Sequence, residues 1–149
     1  MGMFLGIDAS ASGLTAERLR MDVISNNIAN ANTTRTDRGG AFHRRYVVFE
    51  PRDRAPKKFE HVLKKAVGLN RQTGEGVRAV QIKEDNTPGP MVYDPGHPDA
   101  NAEGYVEKPN VNIVTEMVDM ITAQRAYEAN STAINAAKAM ISKALEIGK

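Results

Sequence analysis

The stretch Asn112-Ile-Val-Thr-Glu-Met-Val-Asp-Met-Ile-Thr-Ala-Gln-Arg-Ala-Tyr-Glu-Ala-Asn130, continued through Ile134, Ala137 and Ile141 to Ile147, decides the architecture. Ile113, Met120, Tyr127, Ile134 and Ile141 recur every seven residues. Ala123, Asn130, Ala137 and Ala144 stand three residues after four of them. This is an a/d seam held over about five heptads, large at a and small at d. Ala126, Ala133, Met140 and Ile147 widen it on one flank. Asn112, just past Pro109, is a suitable N-cap because its side-chain oxygen can accept the first free N–H groups. Glu116 and Asp119 near the start, with Lys138, Lys143 and Lys149 toward the end, suit the helix dipole. Such a helix is roughly 50 Å long, against about 30 Å across a globular domain of this size. It must protrude or lie along other helices.

The distribution of helix breakers extends this reading to the whole chain of 149 residues. All seven prolines lie between Pro51 and Pro109, and eight of the twelve glycines between Gly39 and Gly104. Residues 14–38 and 110–147 contain neither type, so these clean spans are where long helices can exist. In the N-terminal segment, Ile7, Leu14, Met21 and Ile28 are again seven apart, with Ile24 and Ala31 at d. Gly13 and the Ser10/Ser12 pair weaken its first turns. Ser25-Asn-Asn-Ile-Ala-Asn-Ala-Asn-Thr33 has two readings, a frayed helix end or a helical row of amides offered to neighbouring chains. The aromatics Phe42, Tyr46, Phe49, Tyr93 and Tyr105 fall in the middle, where Arg44–Glu50, Gly76–Glu84 and Met91–Tyr93 read as strands. Thr87–Pro90 and Asp94–Pro98 read as turns, Gly74-Glu-Gly76 as a hairpin turn, and Phe59–Leu69 as a helical turn or variable loop. The predicted fold class is α+β: long N- and C-terminal helices packed as a coiled-coil-like pair, with a small β-rich middle domain. Its boundaries are residues 1–34, 35–109 with a variable basic loop at about 51–75, and 110–149.

The chemistry of the chain is sparse. There is no cysteine, which removes disulfides, thiolate zinc sites and cysteine nucleophiles. Asp94, His97 and Asp99 have no second ligand cluster, and the prolines around them already account for a turn. His43, His61 and His97 are scattered, and Ser10 and Ser12 lack a nucleophile-elbow pattern. No catalytic, cofactor-binding or metal site is therefore expected, and no enzyme. The net charge of +2 is too balanced for wholesale phosphate neutralisation. Between Arg35 and Lys65, however, ten basic residues face four acidic ones. With Phe42, Tyr46 and Phe49 interleaved, a basic nucleic-acid-binding or helical adaptor module is the alternative. No apolar run reaches the roughly 20 residues of a membrane helix, and Met1–Ile7 lacks the basic start of a secretory signal.

Ser25-Asn-Asn-Ile-Ala-Asn30 with Thr33 resembles the N-terminal signature of the flagellar rod and hook protein family. Further stretches resemble it: Thr34–Thr36 through Gly39-Gly40 to Val47–Glu50, Val92–Asp99, and Glu103–Asn112. The last leads into Glu116–Ile121 and then Arg125, Ala126, Tyr127, Ala129 and Asn130. The Asp94–His97 and Gly104–Asn112 stretches point to a proximal-rod member, whereas residues from about Pro51 to Gly74 carry no family pattern. The resemblance implies a structural protein of the basal body, exported by the flagellar type III apparatus without a cleaved signal and assembled helically in the periplasm. The implied product is a hollow drive shaft that transmits torque and encloses the export channel. The implied partners are further copies of the chain, the rod proteins FlgB, FlgF and FlgG, the protein FliE and the export apparatus, with no nucleic acid and no direct membrane insertion.

On this reading the subunit interface comprises Leu14, Met21, Ile24, Asn26, Asn27, Ile28 and Asn30 from the first helix. From the second it comprises Ile113, Met117, Met120, Ala123, Tyr127, Asn130, Ile134, Ala137 and Ile141. The middle region has too few large apolar side chains to cover two long helices, so exposed stripe is left for neighbours. Ordering free helices costs about 1–2 kcal/mol per residue, offset when neighbours bury apolar surface at roughly 25 cal/mol per Å². Folding of the termini is then coupled to assembly. Ile134→Asp is expected to abolish incorporation into the rod while the middle region stays folded; the content of basal bodies purified from cells expressing the variant checks this.

Overall fold

The computed structural model describes residues 2–52 and 76–147. The stretch Phe59–Leu69, Gly74-Glu75 and nearly all of the basic 51–75 segment lie outside the described residues. Helix α1 spans Gly2–Ala29 and helix α2 spans Ile113–Ile147. Between them come β1 (Arg45–Pro51), β2 (Val77–Glu84), β3 (Met91–Tyr93) and β4 (Tyr105–Glu107). The fold is α+β, as the breaker distribution predicts.

Helix α2 begins where its cap dictates. Asn112 Oδ1 accepts from the N–H groups of Val114 (3.0 Å) and Thr115 (3.3 Å). Its last turn carries no basic residue, and Lys143 pairs with Glu146 at 2.7 Å instead of reaching the terminal carbonyls. Helix α1 is regular through Ser10, Ser12 and Gly13 despite their low propensity, because packing decides where propensity is weak. Ser12 Oγ donates to the Ala9 carbonyl at 2.6 Å, which satisfies the hydroxyl within the helix. The asparagine-rich stretch divides: residues up to Ala29 stay helical, and Asn30 begins the exit turn.

The two helices run antiparallel. Asn27 lies opposite Glu116, and Gly13 opposite Asn130. Strands β1 and β2 form one antiparallel pair, with a register shift between Val48 and Phe49 that leaves Val80 without a partner. This pair lies along α1. Arg45 meets Asn27, the Val77 N–H donates to Ser12 Oγ at 3.0 Å, and Arg52 stands 3.8 Å from Asp8. Helix α1 is thus the middle layer, with α2 on one side and the hairpin on the other. Strands β3 and β4 form a second antiparallel pair, closed by an edge-on contact of Tyr93 and Tyr105. Asp94–Pro98 is a turn, as the sequence indicates. Thr87–Pro90 is neither turn nor strand; it links β2 to β3, and its Thr87 carbonyl accepts from Asn110 Nδ2.

The interior is thin. Among the described residues, the buried hydrophobic side chains are Ala16, Val23, Ile24, Ala31, Ala41, Phe42, Val106 and Ala123. Half of them are alanine, so these elements approach closely without building a thick core. Gly89 marks another close approach, since a Cβ there would overlap the Lys108 carbonyl oxygen. Gly6 in α1 meets nothing within 4 Å. Gly89→Ala is therefore expected to destabilise the fold by about 1–3 kcal/mol, and Gly6→Ala to be neutral or stabilising by up to about 1 kcal/mol; urea denaturation followed by circular dichroism checks the pair.

Candidate functional site: the helix pair and its polar junction

At the open end of the helix pair sits a carboxylate with no solvent exposure. Glu116 occupies the d position preceding Met120, in line with Ala123 and Asn130. It is wholly buried, and Asn27 opposite is 1% exposed. Asn27 Nδ2 donates to Glu116 Oε2 at 2.9 Å, and Arg44 Nε donates to Glu116 Oε1 at 2.6 Å. The other end of the guanidinium reaches Asp119 at 3.3 Å, and Arg20 stands 3.6 Å from the same carboxylate. Burial of an ion is tolerable only when it is paired and its remaining lone pairs are bonded.

Asn27 uses its whole amide. Besides Glu116, Nδ2 donates to the Arg45 carbonyl at 2.8 Å, while Oδ1 accepts from the Arg45 N–H at 2.9 Å. The side chain imitates a strand residue and holds the start of β1 against α1. One amide therefore ties α1, α2 and β1 together. Asn110 repeats the device at the entrance to α2. Its Oδ1 accepts from the Arg44 N–H at 2.6 Å, and its Nδ2 donates to the carbonyls of Asp85 and Thr87, both at 2.9 Å. The Thr87 hydroxyl, and then its N–H, hold the Asp85 carboxyl below the ordinary carboxylate range. The stability this contributes is present above the unfolded carboxylate pKa and is lost as pH falls through the lower folded value.

The structure distributes the expected interface residues unequally. Ile24, Asn27 and Ala123 are buried within the chain itself. In this chain the helices face each other there, and α1 also carries the β1–β2 pair. Leu14, Met21, Ile28, Asn30, Met120, Asn130, Ile134, Ala137 and Ile141 are half-buried. Asn130 packs so near α1 that a Cβ at Gly13 would stand 2.9 Å from its Nδ2. Asn26, Ile113, Met117 and Tyr127 are exposed. Three further residues, Val114, Val118 and Ile121, join Ile113 and Met117 in an exposed row that the a/d pattern missed. The spacing of 114, 117, 118 and 121 carries the same helical signal, one flank further round.

Within the described residues, the basic run is already matched by acids. Arg35 faces Asp99 (3.8 Å), Arg38 and Arg45 face Glu84 (3.9 and 2.7 Å), and Arg52 faces Asp8 (3.8 Å). With Arg44 on Glu116, these arginines present paired charge rather than a free cationic strip. In the Asp94–Asp99 turn, His97 Nδ1 accepts from the Asp99 N–H at 3.1 Å, and the Asp99 carboxylate takes the Thr34 hydroxyl at 2.8 Å. Among the described residues no group of three His, Cys, Asp or Glu could hold a metal ion. No helix there is long and apolar enough to cross a membrane.

The junction makes a graded prediction. Arg44→Ala leaves the Glu116 carboxylate buried with its cation gone, at a cost of about 3 kcal/mol or more. Asn27→Ala orphans the Arg45 peptide group and costs about 1–3 kcal/mol. A double-mutant cycle of Arg44→Ala and Glu116→Gln, measured by urea denaturation, is expected to return a coupling above about 1 kcal/mol.

Known proteins resemble this sequence from end to end. The family described as "Flagella basal body rod protein" matches residues 7–35, most of α1 and its exit. That described as "Flagellar basal body rod FlgEFG protein C-terminal" matches residues 102–147, from the β3–β4 connection through α2. The protein named "Flagellar basal-body rod protein FlgC" in Borreliella burgdorferi is 50% identical across 99% of this chain and 98% of its own. Its namesake in Bacillus subtilis is 45% identical over the full length of both chains, and that of Aquifex aeolicus 37% identical over 100% of this chain and 99% of its own. On these full-length likenesses, the chain belongs to the flagellar basal-body rod protein family.

Proposed function

We propose that this chain builds the proximal part of the rod as a non-catalytic subunit. Its helix pairs stand side by side around the export channel, and the completed tube carries torque from the motor to the hook. A structural role in the rod of the basal body follows from the family; the proximal position rests on the likeness to proteins named FlgC along the whole chain. The observation that carries the mechanical reading is the polar junction. It ties α1, α2 and β1 into one unit at a point where a plain apolar seam would let the helices slide. A shaft under torsion needs subunits whose elements do not shift against each other. The exposed row on α2 supplies apolar surface for neighbours beyond that unit.

The proposed neighbours are further copies, the rod proteins FlgB, FlgF and FlgG, and the basal-body protein FliE. The proposed route is the flagellar type III apparatus without removal of a leader, ending in the periplasm. The nucleic-acid alternative loses support because five arginines of the basic run face carboxylates of the same chain. Deleting the gene is expected to leave cells without hook and filament and therefore non-motile, with motility restored by the intact chain. The protein is expected in purified basal bodies, and its absence from them would overturn the reading.

A further inference from the structure

Asn27 and Glu116 are not alone in meeting across α1 and α2. Gly13 lies fourteen residues before Asn27 and Asn130 fourteen after Glu116, and these two also face each other. A Cβ at Gly13 would stand 2.9 Å from Asn130 Nδ2, 3.1 Å from its Cγ and 3.1 Å from its Oδ1. Near-equal distances to all three atoms mean that the amide lies flat over the α1 backbone. It is fastened there, because Asn130 Nδ2 donates to the Ala126 carbonyl, one turn back, at 2.9 Å. Turning the side chain away gives up that bond. Ala123, midway along α2 between the two contacts, has no exposure, so the helices stay in touch between them. Gly6 is the contrast. It has the same heptad phase one repeat earlier, yet a Cβ there meets nothing within 4 Å. Helix propensity disfavours glycine at both positions. Only at Gly13 does a neighbour require it.

We infer that Gly13 is a positioning residue. It opens a notch in α1 for the Asn130 amide, and the notch and the Asn27–Glu116 bond together fix the helix pair at two points. A single point fixes where two cylinders touch and leaves them free to scissor about it. A second point fixes the angle between them. Here the points are roughly 21 Å apart along each helix, a long lever for so thin a seam. The two contacts also check each other. Sliding the helices by one heptad in one direction would offer Gly6 to Asn130, but it would part Asn27 from Glu116. Sliding them the other way would bring the Arg20 side chain against Asn130. Only one register satisfies both. In a rod subunit this brace keeps the helices from scissoring as load passes through them. That use rests on the rod reading, whereas the contact itself does not.

Thermal melting of the purified chain tests the notch. Alanine in place of a helical glycine ordinarily stabilises, so Gly6→Ala is expected to raise the melting temperature or leave it unchanged. Gly13→Ala is expected to lower it by about 5 °C. Adding Asn130→Ala removes the amide, and the double variant is expected to recover most of that loss. A Gly13→Ala chain as stable as Gly6→Ala would overturn the inference, as would a loss that Asn130→Ala does not relieve. If Gly13→Ala alone does not fold, the double variant decides: a folded chain supports the notch and an unfolded one overturns it. Pulsed EPR then tests the angle, since a chain without cysteine takes nitroxides only where they are placed. L5C/K138C reports on the far end of the pair and S25C/V118C on the end beside Glu116, and all four sites are exposed. With Gly13→Ala the far distance is expected to lengthen by roughly 1–2 Å, a displacement at the notch carried outward along the helices. The distance beside Glu116 is expected to hold. Equal changes at both ends, or none at the far end, would overturn the second fixed point. Absence of the unsubstituted chain from basal bodies would strike the rod reading and leave these measurements standing.

Discussion

A carboxylate with no access to water sets the terms for this molecule. Glu116 can sit in so thin an interior only because groups from other elements meet both of its oxygens, and they come from two directions: Asn27 on α1 and Arg44 ahead of β1. Each of these is itself committed elsewhere, Asn27 to the Arg45 peptide and Arg44 to Asp119. Moving any one element by a turn would strand a charge. Apolar seams tolerate small slides, because one methyl contact resembles another. A bonded ion does not, so the register of the helix pair is set by polar chemistry while its adhesion comes from small apolar residues.

This division explains how the chain can be slender yet defined. Ala16, Ala31, Ala41 and Ala123 bring backbones close but bury little area each. What the interior lacks in volume is supplied by side-chain amides that substitute for backbone partners. Asn27 and Asn110 each satisfy peptide groups of segments that have no sheet neighbour at that point. Arg44, between them in space, bonds to one by its backbone and reaches the other's partner by its side chain. Helix α1 is enclosed on two sides as a result, whereas α2 keeps a whole flank open.

Much of this was legible in the residues alone. Heptad spacing marked both helices, the confinement of proline and glycine marked the middle, and Asn112 marked the start of α2. Strand β4 was missed as a strand because Tyr105–Glu107 acquires its partner only across the turn from β3. The role of Asn27 was not legible either. Among several asparagines in Ser25–Thr33 nothing local separates the one that turns inward, since its partners are 18 and 89 positions away. Glu116 did carry a signal: a charge at a d position in an apolar seam implies a buried counterpart. Val114, Val118 and Ile121 escaped for the opposite reason, because the a/d template directs attention to one stripe and this helix has two.

The distance in sequence between Asn27 and Glu116 has a kinetic consequence. A contact that closes 89 positions of chain forms late, since the intervening loop must first be gathered. For a polypeptide emerging N-terminus first, whether from the ribosome or any narrow conduit, Asn27 of α1 cannot meet Glu116 of α2 until 89 further residues have followed it. The molecule is thereby built to stay pliant through its own delivery and to stiffen only when its final segment arrives.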